Sequence, residues 1–109
     1  MDIQINEQVT RIHTISLSGR LDAFNAPELC EHFQRLIEDG AKQFVLDLRH
    51  VEFMDSAALA ALVNLLKHAR QAGGDVEMIP PESQAAHRIL TLTKFDRVFK
   101  MIDSPAGQK

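Results

Sequence analysis

The chain has 109 residues, 45% of them hydrophobic, which suffices for one domain whose core needs no disulfide or metal. Its formal net charge of −3 argues against binding to nucleic acid or anionic membranes, because both attract basic surfaces. The single cysteine, Cys30, excludes an internal disulfide and fits a reducing compartment. No apolar run approaches the roughly 18 residues of a spanning helix, and no secretory signal is visible, so we expect a cytoplasmic location.

Two strands are predicted at the start of the chain. A short one lies around residues 3–5, where isoleucines alternate with polar residues, and a second covers Val9–Ser18, which is rich in β-branched residues. Glu7 and Gln8 would form the turn between them. Ile12 falls on the opposite face from the later apolar residues, which predicts either a bulge or burial on both faces.

The first helix is predicted over Phe24–Gly40, with a complete start signal. Asn25 is placed to cap it, Glu28 completes a capping box, and Phe24 and Leu29 occupy the positions of a hydrophobic staple. Its apolar face is expected to comprise Leu29, Phe33, Leu36 and Ile37.

A strand covered on both faces is predicted over the apolar run Phe44–Leu48. The clearest helix follows over Ser56–Ala72 and is ended by two glycines. Its core face is expected to comprise Leu59, Leu62, Val63 and Leu66. Its polar face is expected to comprise Asn64, Lys67, His68 and Gln71.

The C-terminal third begins with a strand over Asp75–Ile79 and, after two prolines, a third helix over Glu82–Thr93. Residues 95–102 fit either a helix or a short turn followed by a brief strand near Phe99–Ile102. The predicted order β-β-α-β-α-β-α indicates an α/β fold, in which helices flank a mostly parallel mixed sheet of four or five strands.

This fold predicts one domain over residues 1–103 and a flexible tail over residues 104–109. Functional residues are expected beyond the carboxyl ends of the strands. The chain carries no glycine-rich phosphate loop, and its five histidines are not spaced to bind metal with each other or with Cys30. We therefore expect no catalytic residue, no metal and no cofactor, although Asp22, Asp47 and Asp55 could gather at one sheet end and hold a divalent ion.

Asp55 and Ser56 stand at the junction before the clearest helix. One interpretation is structural: Asp55 caps the helix and Ser56 occupies its first position. The other is functional, because the N–H groups of a helix start favour an anionic group, so Ser56 could carry a phosphate.

Several spaced segments resemble one family, the sulfate-transporter and anti-sigma-factor-antagonist (STAS) domain, and more narrowly the small stand-alone bacterial anti-sigma factor antagonists. The resemblance covers about residues 2–102. It rests chiefly on Gly19–Asp22, Ala26–Leu29, Val45–Leu48 and Phe53–Ser56.

The resemblance implies a partner switch in transcription regulation. The unphosphorylated protein would bind an anti-sigma factor that is also a serine kinase, which frees a sigma factor. Phosphorylation of Ser56 would reverse this binding, and a serine phosphatase of the PP2C type would restore it. Asp22, Asp55, Ala57 and Ala58 would join Ser56 in the partner-binding surface. Ala58 replaces the family's usual glycine, which favours an alternative: a STAS scaffold subunit that is not phosphorylated.

Overall fold

The computed structural model describes residues 1–7 and 12–103. Five strands, three α-helices and one 3-10 helix (Phe95–Arg97) follow one another along this part of the chain. The strands are β1 (Asp2–Glu7), β2 (Ile12–Leu21), β3 (Gln43–Met54), β4 (Asp75–Ile79) and β5 (Lys100–Met101). The helices are α1 (Ala26–Glu38), α2 (Ser56–Gln71) and α3 (Gln84–Leu92).

The strands form one mixed sheet in the order β1-β2-β3-β4-β5. β1 pairs antiparallel with β2, and every other neighbouring pair is parallel. This confirms the predicted α/β fold, with five strands. Each helix connects two neighbouring parallel strands, so the carboxyl ends of β2, β3 and β4 lie at one edge of the sheet.

The hydrophobic core joins one face of the sheet to all three helices. Ile15, Leu46 and Met78 lie side by side in the register of β2, β3 and β4, and all three are buried. The opposite face of β3 is buried as well at Val45 and Asp47, which confirms the prediction that both faces are covered. The helices contribute Leu29, Phe33, Leu59, Leu62, Leu66, Ala86 and Leu90 to this cluster.

The two longest strands extend further than predicted. β2 continues to Leu21, and its pairing with β3 shifts register after Ser16 and after Gly19. Both shifts follow Ile15, so they do not bring Ile12 to the face of Ile15, and the bulge alternative does not explain the pattern. Thr14, on the same face as Ile12, is buried, which supports the alternative of burial on both faces. Gly19 has a φ of +82°, a conformation that glycine adopts without strain. Glu7 ends β1 and is not a turn residue, while Gln8 and the predicted strand start at Val9 lie outside the described residues.

β3 was predicted to end at Leu48 but continues to Met54, because its last residues pair with the end of β2. The prediction stopped early since three polar side chains follow, at Arg49, His50 and Glu52. β3 is the central strand of the five, with β2 on one side and β4 on the other.

The C-terminal elements resolve the alternatives left by the sequence pattern. α3 is shorter than predicted, and residues 95–102 form a single 3-10 turn and a brief strand rather than a continuous helix. The predicted tail over residues 104–109 lies outside the described residues. None of the described helices is long and apolar enough to cross a membrane.

A close backbone contact joins the α2–β4 connection to the start of β3. The amide of Asp75 donates to the carbonyl oxygen of Lys42 at 3.0 Å. A Cβ atom on Gly74 would overlap that same carbonyl, so the connection can pack there only because residue 74 is glycine.

Candidate functional site

The candidate site lies where β2 and β3 end. Leu21 and Met54 are paired in register, and the amide of Asp55 donates to the carbonyl oxygen of Leu21 at 3.1 Å. The loop of residues 22–25 follows β2, and Asp55 and Ser56 follow β3. Asp22 and Asp55 therefore lie at the same sheet edge, as expected for parallel strands.

Both carboxylate oxygens of Asp55 accept hydrogen bonds. Oδ1 accepts from the amide of Ala58 at 3.0 Å, which caps α2 as predicted. Oδ2 accepts from the amide of Ala23 at 2.9 Å, across 32 positions of sequence. Asp55 thus fixes the start of α2 against the loop that follows β2, a second role that the sequence pattern did not predict.

Ser56 is the first residue of α2, and it is exposed to solvent. Its hydroxyl forms no hydrogen bond to any residue within 1–7 or 12–103. Ala57 is half-buried, whereas Ala58 is buried in the core, so the Ala58 side chain lies beneath the surface that a partner would meet. Among these helix-start residues, Ser56 is the one that offers a free nucleophilic oxygen to the outside.

The loop of residues 22–25 is closed by its own polar side chains. Oδ1 of Asp22 accepts from the amides of Phe24 and Asn25 at 3.1 and 3.3 Å. The Asn25 side chain donates to the carbonyl oxygen of Arg20 at 2.8 Å and accepts from the amide of Asp22 at 2.9 Å. Asp22 therefore acts as a turn residue at the site edge, with its carboxylate still partly exposed.

Two predictions for the start of α1 are wrong. Asn25 stands at the N-cap position, but its side chain makes no capping hydrogen bond because the preceding loop occupies both of its polar atoms. The hydrophobic staple is also absent: Leu29 is buried, while Phe24 is 93% exposed. The paired turn-formers Asp22 and Asn25 were the signal that could have indicated this loop.

A shallow groove of about 410 Å³ begins at Ser56 and follows α2. The sequence pattern did not indicate this apolar lining, because polar residues such as Asn64 and Lys67 lie among the apolar residues on this side of α2. Val63, assigned to the core, is only half-buried and faces this groove. The groove is lined by Ser56, Leu59, Ala60, Val63, Asn64, Lys67, Thr93 and Phe95.

Asp47 lies apart from the other two aspartates and has its own partner. It pairs in register with Ser16 and Ile79, seven positions before Met54, and binds the Arg49 guanidinium through both oxygens at 3.0 and 2.8 Å. Burial alone would raise the pKa of Asp47, but the hydrogen bonds and charge of Arg49 outweigh burial and lower it.

The three-aspartate metal site is therefore not formed. Asp47 is committed to Arg49, and both oxygens of Asp55 accept from backbone amides. Within the described ranges, no three histidine, cysteine, aspartate or glutamate side chains are grouped to hold a metal ion.

The sequence profile of the STAS domain matches residues 2–107. The chain belongs to the STAS domain family. It is 33% identical over 72 residues to a protein of Thermotoga maritima that is provisionally named an anti-sigma factor antagonist. That match covers 66% of this chain and 63% of the relative, so it spans less than two-thirds of the relative's length.

Solved structures share the whole fold. A Thermotoga maritima protein, also provisionally described as an anti-sigma factor antagonist, superposes with a TM-score of 0.84 at 26% identity, covering 94% of this chain and 86% of that one. The phosphorylated form of the Bacillus cell fate determinant SpoIIAA gives a TM-score of 0.75 at 17% identity, covering 96% and 93%. At that identity, the second likeness concerns the fold alone.

Proposed function

We propose that this chain is an anti-sigma factor antagonist, a regulatory binding protein without catalytic activity of its own. The unphosphorylated form binds an anti-sigma factor that is a serine kinase and so releases a sigma factor. Phosphorylation of Ser56 reverses this binding. The observation that carries the proposal is the exposed Ser56 hydroxyl, which makes no hydrogen bond to the described residues and stands at the helix start fixed by Asp55.

The relatives support the antagonist role, whereas the proposed switch rests on the geometry of Ser56 and on the family resemblance. The Thermotoga maritima relatives carry the provisional name of anti-sigma factor antagonist, and SpoIIAA, an anti-sigma factor antagonist of the same fold, exists in a phosphorylated form. Their partners, a serine-kinase anti-sigma factor and a PP2C-type serine phosphatase, are proposed for this chain on the family resemblance. The place of action would be the cytoplasm, where sigma factors work.

The switch follows from charge and desolvation. A phosphate on Ser56 adds about −1.5 to −2 charge beside the half-buried Asp55 carboxylate and the apolar groove. Burying that charge against a partner fitted to a neutral hydroxyl costs binding free energy. A cost of about 4 kcal/mol would weaken binding roughly a thousandfold.

The first test is direct phosphorylation. The chain is incubated with ATP and, one at a time, with each serine-kinase anti-sigma factor encoded in the same genome, and its intact mass is measured. We expect one kinase to add roughly 80 Da, the mass of one phosphate. Ser56→Ala is expected to gain no mass under the same conditions.

The second test is binding to that kinase by calorimetry. Ser56→Ala should bind as the unmodified protein does and should stay bound in the presence of ATP. Ser56→Asp should bind poorly because it places a permanent charge at the same position. Wild-type affinity in both variants would mean that Ser56 is not the switch.

A second candidate keeps the fold without the switch: a STAS scaffold subunit of a signalling or transport complex. Ala58 in place of the family glycine is the observation that favours it. Persistent absence of the added phosphate with every kinase of the genome would support the scaffold. The Ala58 side chain is buried, so its methyl group does not block the access of a kinase to Ser56. This burial favours the phosphorylation switch over the scaffold.

A further inference from the structure

Phe24 is an apolar residue that the core does not use. It is 93% exposed, more than any other large apolar residue within the described ranges, and Leu29 is completely buried without it. A single exposed apolar side chain is ordinary on a protein surface, so the position of this ring and the rigidity of the backbone that carries it decide whether it has a role.

The backbone that carries the ring is fixed from both sides. The amides of Ala23 and Phe24 both donate to carboxylates, of Asp55 at 2.9 Å and of Asp22 at 3.1 Å. The Asn25 side chain closes the loop on the strand behind it. A ring presented from such a loop keeps its backbone position on docking and loses only the freedom of its two side-chain torsions, which is a low cost for an interface anchor.

Phe24 also lies close to Ser56. Ala23 and Asp55 are joined by one hydrogen bond, and each is a single Cα–Cα step of about 3.8 Å from Phe24 and Ser56 respectively. An ordinary interface covers about 800 Å² on each protein, a disc with a radius of about 16 Å. A partner centred on Ser56 therefore reaches the Phe24 ring.

We infer that Phe24 is an apolar anchor that enters a hydrophobic pocket on the anti-sigma factor, beside the kinase site that acts on Ser56. This inference rests on the proposed function and adds to it a residue outside the family's phosphorylation segment. The inference assigns two separate contributions to binding. The Phe24 ring adds to the affinity for the anti-sigma factor, and phosphorylation of Ser56 prevents the two proteins from binding.

The test measures the Kd for the kinase that phosphorylates the wild-type chain, with every variant built on Ser56→Ala so that no phosphate forms. Phe24→Ala is expected to weaken binding by about 10- to 100-fold. Its thermal unfolding midpoint should not change, because the ring has no packing to lose. Val98→Ala is the matched control, because Val98 is 38% exposed and its carbonyl oxygen accepts from Arg70 in the last turn of α2, about 21 Å along the helix from Ser56.

Three results would overturn the inference. Unchanged affinity in Phe24→Ala would show that the ring is not an anchor, and it would not affect the proposal that Ser56 is the switch. An equal loss in Val98→Ala would show that affinity follows exposed apolar area in general. A dimer of the wild-type chain that Phe24→Ala abolishes, with kinase affinity unchanged, would assign the ring to a second copy. If no kinase binds the wild-type chain, the proposed function and this inference fail together.

Discussion

The Asp55 carboxylate bonds to two elements that are far apart in sequence. One oxygen caps α2 and the other holds the amide of Ala23, so the start of the helix and the loop after β2 share one anchor. Capping aspartates are common, and that role was predictable from the residues around Ser56. The bond to Ala23 was not, because it depends on β2 continuing to Leu21 beside β3.

Replacing Asp55 tests both hydrogen bonds. Asp55→Ala should lower the free energy of unfolding by about 1–2 kcal/mol, since it removes the cap and leaves the Ala23 amide without its acceptor. Asp55→Asn should cost less, because its amide oxygen can still accept one of the two bonds. Urea unfolding followed by circular dichroism measures both, since the chain has no tryptophan or tyrosine. Equal losses would contradict a two-bond role.

At the scale of elements, local signals predicted some boundaries and not others. The helix beginning at Ser56 was predicted to within one residue of its end, because its cap, apolar stripe and terminal glycines agree. The start of α1 was misjudged: Asn25 has a capping side chain, but the loop offers it the carbonyl of Arg20 and the amide of Asp22. Nearby backbone groups compete with a helix for such side chains, and only the folded chain decides between them.

The first turn of α2 offers a second test through Ala58→Gly. Ala58 is buried at the third helical position, so glycine should cost about 1–2 kcal/mol in helix propensity and lost packing. The rate of Ser56 phosphorylation should stay unchanged at a temperature where both proteins are folded. Faster phosphorylation of the glycine variant would show that the alanine restricts the kinase.

For the whole molecule, the alternation of strands and helices was sufficient to predict the α/β sheet, its parallel pairs and the edge that carries Asp22, Asp55 and Ser56. It could not predict which exposed side chains surround that edge. Exposure depends on packing among distant elements, which is why Phe24 was assigned to a staple and the groove along α2 was missed.

The free energy of unfolding should fall at acid pH because Asp47 becomes protonated. Because Arg49 lowers the pKa of this carboxyl in the folded state, the stabilisation is present above the unfolded-state pKa of about 3.9 and is lost as the pH falls further. Urea midpoints measured from pH 6 to pH 2.5 should fall less steeply in Asp47→Asn than in the wild type. Asp75→Asn, which breaks an exposed pair with Arg70, should retain the wild-type slope.

The contact of Gly74 with the Lys42 carbonyl lies at the opposite end of β3 from Ser56. At that end of the domain, almost any replacement of the glycine would force two backbones apart. The Ser56 end is held by side-chain hydrogen bonds of Asp22, Asn25 and Asp55, and it lies away from that backbone contact. Exposed side chains at the Ser56 end, such as Phe24, can therefore be replaced without disturbing that backbone contact.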